Sequence, residues 1–172
     1  MIGGPTTITV DSPLGPIRLV ATDEILTHVL FDGEPDIPIP DRAPEPTEPD
    51  AFLPGAFLKD AAAQMVAYFD KRLNLFDLAL APAATPFQGR VRAAMQAIPY
   101  GETLSYGAVA KSLNGSPRAV GQACGRNPIP IVVPCHRILA AQGRIGGFSG
   151  GDGVPTKQLL LAHEAPDLFN YK

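Results

Sequence analysis

The sequence predicts an α+β protein: a small antiparallel sheet plus one helix in the N-terminal half, then a mainly helical C-terminal half with a helix-turn-helix and a loop around a candidate active site. Three observations predict it. β-Prone runs at residues 7–10, 17–22 and 26–31 precede any helical pattern. Residues 34–54 then hold seven prolines, six acids and one arginine, the composition of an extended, solvated connector. Beyond it apolar positions recur at helical spacing, with hydroxyl residues directly ahead of proline at Thr85-Pro86 and Ser116-Pro117. A chain of 172 residues has room for one compact domain or two small ones. The expected division is an N-terminal α/β domain over 1–80, a linker over 81–85 and a C-terminal domain over 86–172.

The first two strands are joined by the turn-forming Ser12-Pro13-Leu14-Gly15-Pro16, so the three runs make a meander. Phe57, Leu58, Ala61, Ala62, Met65, Val66 and Phe69 mark one face of the first helix. The second half opens with Thr85 as N-cap, Pro86 at the first helical position and Gln88 completing a capping box, over a stripe of Phe87, Val91, Ala94, Met95 and Ile98. Pro99-Tyr100-Gly101 ends that helix. Ser105 caps another that reaches about Leu113, Asn114-Gly115 breaks it, and Ser116 caps a third running through Cys124. Two short helices across a glycine turn are a helix-turn-helix candidate, although ordinary helical hairpins share the pattern. A final helix over 156–164 carries Leu159, Leu160 and Leu161 and places His163 and Glu164 at its C-terminal end, where a carboxylate opposes the helix dipole.

No apolar run is long enough to cross a bilayer and the start has no basic-then-apolar pattern, so a cytoplasmic protein without membrane contact is expected. The formal net charge of −3 hides an asymmetry: residues 1–85 carry 5 Lys and Arg against 13 Asp and Glu, residues 86–172 carry 9 against 4. Only the second half has the charge for a phosphate backbone. Two cysteines, Cys124 and Cys135, make no disulfide framework and are read as free thiols.

The chemistry gathers around one of them. Residues 127–137 read Asn-Pro-Ile-Pro-Ile-Val-Val-Pro-Cys-His-Arg, an apolar run bounded by prolines and expected as a buried extended segment that delivers Cys135 at a fixed point. Cys135 reads either as a small core hydrophobe or as a nucleophile, with His136 and Arg137 supplying a base and a positive field. In an extended chain His136 points away from Cys135, so contact needs a bend or a bridging water. Gly143 to Gly151 contribute five glycines around Phe148 and Ser149, either a flexible surface loop or a pocket wall with a stacking face and a polar contact.

Taken in order, Ile98-Pro99-Tyr100-Gly101-Glu102, Arg118-Ala119-Val120-Gly121, Asn127-Pro128 and Pro134-Cys135-His136-Arg137 resemble the O6-alkylguanine-DNA alkyltransferases, also called methylated-DNA–protein-cysteine methyltransferases. The match spans about residues 87–164. The resemblance implies binding to double-stranded DNA containing O6-alkylguanine, with flipping of the base into the pocket and one irreversible transfer of its alkyl group to Cys135. It implies catalytic roles for Cys135, His136, Glu164, Tyr106 and Asn127. Glu164 would orient His136 and thereby favour the Cys135 thiolate, Tyr106 would donate to the base, and Asn127 would brace the active-site turn. DNA contacts fall on Ser116, Arg118, Ala119, Gln122 and Ala123, with Arg118 filling the vacated stack. The substrate pocket falls on Ile138, Phe148, Ser149 and Gly150. No metal or organic cofactor is implied; a monomer in solution is expected, and the sequence does not decide whether it binds DNA cooperatively. O4-alkylthymine is a further substrate of this scheme.

Three positions depart from the family pattern: Phe148 where Tyr is frequent, Cys124 where Asn is frequent and Arg92 where Trp is frequent. Competing functions are a non-catalytic alkylated-DNA-binding protein, which would lack the thiol, a helix-turn-helix transcription regulator, and a thiol hydrolase that would turn over.

Overall fold

The computed structural model describes residues 4–34 and 55–169, so all but Glu34 of the acidic, proline-rich segment lies outside the described residues. The chain divides into two compact units, Met1–Ala81 and Pro82–Lys172. In the first, strands β1 (Thr6–Val10), β2 (Ile17–Thr22) and β3 (Ile25–Phe31) form the expected antiparallel meander. Its first turn is held by Ser12, whose side chain accepts from Leu14 N–H and donates to the Gly15 carbonyl. Leu26 also exchanges backbone hydrogen bonds with residues 79–81, giving β3 a short parallel neighbour on its far side.

Helix α1 (Ala56–Phe69) covers this sheet. Its buried residues are Leu58, Ala61, Met65 and Tyr68, a stripe at three- and four-residue spacing. That stripe is rotated from the expected one: Val66 is exposed, whereas Tyr68 has no exposed surface and packs its ring against Phe69 and Phe76. One of these aromatic neighbours, Phe76, comes from beyond the helix, a contact that the apolar spacing within α1 does not disclose.

The second unit contains α2 (Pro86–Gln96), α3 (Tyr106–Ser112), α4 (Pro117–Gly125) and α5 (Val154–Glu164). The three serine and threonine caps form as expected: Thr85 accepts from Gln88 N–H, Ser105 from Ala108 and Ser116 from Ala119. The capping box at α2 is one-sided, because the Gln88 side-chain carbonyl makes no return bond. Between α3 and α4 the chain closes a Schellman motif: Gly115 N–H reaches the Ala110 carbonyl, Asn114 N–H reaches Lys111, and Asn114 takes the left-handed conformation at φ 50°. A side chain at Gly115 would come within 3.3 Å of the Phe87 ring, so the turn packs tightly on α2.

One element had no expectation behind it. Strand β4 (Leu104–Ser105) pairs in parallel with β5 (Ile138–Leu139), two residues on each side. This pairing ties the start of α3 to the chain just after Cys135, and so fixes Tyr106 beside it. Among the described residues no helix is long and apolar enough to cross a membrane.

The cap on α4 gives a stability test. Replacing Ser116 by Ala should lower the urea stability of the second unit by about 1 kcal/mol, while Ser116→Gly should cost only a few tenths. Equal losses in the two variants would show that the serine acts through something other than its bond to Ala119.

Candidate active site

The segment that carries Cys135 is wound, not extended. Val132 N–H bonds the Pro130 carbonyl across Ile131, and Cys135 N–H bonds the Val133 carbonyl across Pro134, so two three-residue turns follow one another. Ile131 sits at φ 72° with 1% of its surface exposed, a strained position for a β-branched residue. Proline explains the second turn, because Pro134 at φ −81°, ψ 65° lies in its inverse-γ well. Asn127 braces the coil from inside: its side-chain N–H₂ donates to the Val133 carbonyl at 2.9 Å and its carbonyl accepts from Ile129 N–H at 3.2 Å. Cys135, His136 and Arg137 then form one turn of 3-10 helix, which supplies the bend that an extended chain lacks.

All three residues of that turn are buried. His136 bonds the Glu164 carboxylate through Nε2 at 2.7 Å. Arg137 grips the same carboxylate side-on, Nε at 2.8 Å and Nη2 at 3.0 Å, and sends Nη1 to the Ile98 carbonyl at 2.7 Å. Gly101 N–H is a further donor to Glu164 at 3.2 Å. Gly101 is confined to glycine twice over, by φ 79° and by the Glu164 carbonyl 3.3 Å from where a Cβ would stand. Arg137 therefore does not supply the expected field at Cys135; its charge is spent on Glu164.

Electrostatics follow from this burial. Burial alone would push Glu164 up, but the hydrogen bond from His136 and the bonds and charge of Arg137 outweigh it and hold the carboxyl well below its ordinary range. Burial pushes His136 down in spite of Glu164, which keeps the imidazole neutral. With its Nε2 proton directed at the carboxylate, the neutral ring leaves Nδ1 as a lone-pair acceptor, and Nδ1 is buried without a protein partner. Burial also pushes the Cys135 thiol up, against the expected net lowering by the Glu164–His136 pair. The groups favouring its thiolate are the Asn127 side chain, Lys157 and the backbone N–H groups of residues 135 and 136.

Cys135 opens onto a cavity of about 430 Å³ lined also by Tyr106, Gly121, Cys124, Gly125, Gly147, Phe148 and Ser149. That volume is in the range of small-molecule sites. Phe148 and Ser149 lie where the pocket reading placed them. Ile138 and Gly150 do not line it: Ile138 has no exposed surface and its carbonyl is taken by Lys157, while the carbonyl of buried Gly150 closes a turn with Gly153. Tyr106 is pushed up to about 12, by burial first and then by the two thiols, so its phenol stays protonated. Cys124 is likewise pushed up to about 12 by burial and by Cys135, and its thiol rests 3.8 Å from the Met95 sulfur.

On α4, Ser116, Arg118 and Gln122 are exposed and Ala119 is half-buried. Ala123 turns inward with Val120 and Cys124, so its place in the set facing DNA is corrected: the helix needs it for its own buried stripe. Among the described residues no group of three or more His, Cys, Asp or Glu could hold a metal ion. The residue that sequence reasoning missed is Lys157, fully buried on α5 beside the cavity. A signal existed, since Lys157, Leu160, Leu161 and Glu164 share one helical face.

Comparison with known proteins agrees with this architecture along most of the chain. Residues 86–166 match the domain described as "6-O-methylguanine DNA methyltransferase, DNA binding domain", and residues 6–82 match "6-O-methylguanine DNA methyltransferase, ribonuclease-like domain". Proteins named methylated-DNA–protein-cysteine methyltransferase from Methanosarcina acetivorans and Mycolicibacterium paratuberculosis are each 43% identical, covering 90% and 91% of this chain and 94% and 90% of their own. The crystal structure of the Mycobacterium tuberculosis O6-methylguanine methyltransferase superposes with TM-score 0.77 at 38% identity over 94% of this chain and 93% of that one. A second structure of that bacterium's protein, in complex with DNA, gives 0.71 at 38% identity over 98% and 99%.

The Glu164 cluster predicts a pH dependence. Its carboxyl titrates at about 4.3 in the unfolded chain and well below that when folded. The stability it contributes is complete above that unfolded value and is lost as pH falls towards the folded one. Glu164→Gln should cost about 3–5 kcal/mol near neutral pH, because it strands a buried Arg137. Urea titrations from pH 7 to pH 3 should show the gap between wild type and variant closing as the pH drops; a constant gap would mean that the cluster is not linked to protons.

Proposed function

The chain belongs to the 6-O-methylguanine DNA methyltransferase family, and on that premise we propose that Cys135 is the sulfur that takes the alkyl group, from an O6-alkylated guanine turned out of double-stranded DNA. The activity is direct-reversal repair, in which an alkyl group moves from DNA to a cysteine of the protein itself. The observation that carries the choice of cysteine is the inequality of two thiols on one cavity. Cys135 has the Asn127 amide and two backbone N–H groups favouring its anion, whereas Cys124 has one backbone N–H and faces a methionine sulfur; Lys157 favours both anions.

In this reading the Cys135 proton passes to Nδ1 of His136 through a bridging water, and Glu164 holds the ring so that Nδ1 remains the acceptor. The Cys135 sulfur attacks the O6-alkyl carbon, the carbon–oxygen bond breaks, and a thioether forms on the protein. The electron pair leaves with guanine, where Tyr106 supplies a proton at N3 and is reprotonated through water from the His136 imidazolium, so the net result moves the thiol proton to the base. A thioether has no good leaving group, so each chain acts once. Arg118, exposed at the start of α4, fills the gap left in the base stack, and Phe148 and Ser149 receive the extruded base. O4-alkylthymine would enter the same cavity.

Exposure to duplex carrying one O6-methylguanine should add one methyl per chain, on the peptide containing Cys135 and not on the one containing Cys124. Methyl found on Cys124 would falsify the assignment. Arg118→Ala should slow repair of duplex by about tenfold or more while sparing reaction with free O6-benzylguanine, which needs no flipping. Tyr106→Phe should slow transfer from DNA by about a hundredfold, yet leave alkylation of Cys135 by iodoacetamide unchanged. A parallel loss in both reactions would make Tyr106 a packing residue.

A further inference from the structure

Lys157 sits in the first half of α5 with none of its surface exposed. Its ammonium donates to the Ile138 carbonyl at 2.6 Å and the Gly147 carbonyl at 3.2 Å, and lies 5.7 Å from the centre of the Tyr106 ring. Among the described residues no carboxylate pairs with it. A buried ammonium that meets only neutral acceptors is costly, and an anion forming nearby offsets that cost. The two carbonyls also come from functionally different places, one just after the Cys135 turn and the other in the wall of the cavity.

We infer that Lys157 is a positioning residue of the transfer reaction: held by the Ile138 and Gly147 carbonyls, its ammonium is the counter-charge to the Cys135 thiolate and clips the cavity wall to the strand that follows the nucleophile. The inference rests on Cys135 as the acceptor. Groups facing the ammonium are Cys135 from the 3-10 turn, Cys124 from α4 and the Tyr106 ring from α3; His136, Arg137 and Glu164 form the charged cluster behind Cys135. The coupling runs both ways. Burial pushes Lys157 down and negative charge on Cys135 draws it back up, while Lys157 in turn favours the Cys135 anion. Lys157 also disfavours a charged His136, so a proton received by the imidazole is passed onward instead of kept. Once the sulfur is alkylated it can no longer carry charge, and the lysine loses its counter-charge for good.

The test uses the full chain with Cys124→Ser, so that iodoacetamide reports on Cys135 alone. Lys157→Gln removes the charge and keeps a donor for one carbonyl; Lys157→Met removes both. In each, the pH midpoint of Cys135 alkylation should rise by about one unit, making the reaction about tenfold slower at pH 7, while the rate on the high-pH plateau stays within about threefold of the parent. A merely structural role would lower the plateau and leave the midpoint in place, and an unshifted midpoint in both variants overturns the inference. Should neither variant fold, the wild-type chain decides: the Lys157 side-chain titration, followed by carbon NMR of labelled lysine, should move to lower pH when Cys135 is methylated by O6-methylguanine duplex. No movement overturns the inference as well. Mapping the methyl by mass spectrometry in the same samples separates the two readings, because a methyl away from Cys135 removes the premise, whereas a methyl on Cys135 with unshifted titrations removes only the role of Lys157.

Discussion

Everything around the nucleophile depends on one buried carboxylate. Glu164 closes the last turn of α5, where the helix dipole disfavours an anion, and it is tolerated there because four hydrogen bonds from His136, Arg137 and Gly101 converge on its two oxygens. Those donors come from the 3-10 turn and from the bend after α2, so a single charge joins three segments far apart in sequence. It also decides chemistry. By accepting a hydrogen bond from Nε2–H of His136, Glu164 leaves Nδ1 as the basic nitrogen, and by occupying Arg137 it keeps that guanidinium away from the thiol.

The route of the chain into this cluster carries strain. A left-handed isoleucine, two three-residue turns and a side-chain amide brace act together to present Cys135, and none of them alone would hold the sulfur in place. Such geometry persists only where surrounding contacts over-determine it. Ile129, Ile131 and Val133 supply those contacts: each is essentially unexposed, so unwinding the coil would expose several apolar side chains together.

What the sequence disclosed was whatever is local. The caps at Thr85, Ser105 and Ser116 are side-chain bonds to residues three positions on, and the meander follows from alternation and turn residues, so both were readable. The resemblance carried by the ordered motifs led to Cys135, His136, Glu164, Tyr106 and Asn127, and all five acquire direct contacts or cavity positions from geometry the motifs do not describe. The failures are non-local. Lysine on an amphipathic helix reads as solvated, and only the fold of residues 138–147 over α5 reveals that Lys157 is enclosed. Ile131 gives no sign of its left-handed backbone, because β-branching argues for a strand. Ala123 and Ala119 look alike in sequence, and packing of α4 against α2 and α3 sorts one inward and leaves the other half-covered.

The protonation pattern of the cavity explains how a one-use nucleophile can be stored. Burial alone favours the neutral forms of Cys135, Cys124, Tyr106 and His136, and the depression of Glu164 comes from partners that leave the thiol untouched. A resting thiol kept protonated reacts slowly with the electrophiles and oxidants of the solvent, since the thiolate is the reactive form. The machinery that favours the anion, comprising Asn127, two backbone N–H groups and Lys157, is already in position, so it needs only a site for the departing proton and a carbon to attack. In the proposed reaction, a flipped alkylated base entering the cavity would bring that carbon and a nitrogen able to accept a proton from Tyr106. On that reading thiolate formation is coupled to the presence of substrate, and a chain that acts once would not be consumed before it meets a lesion.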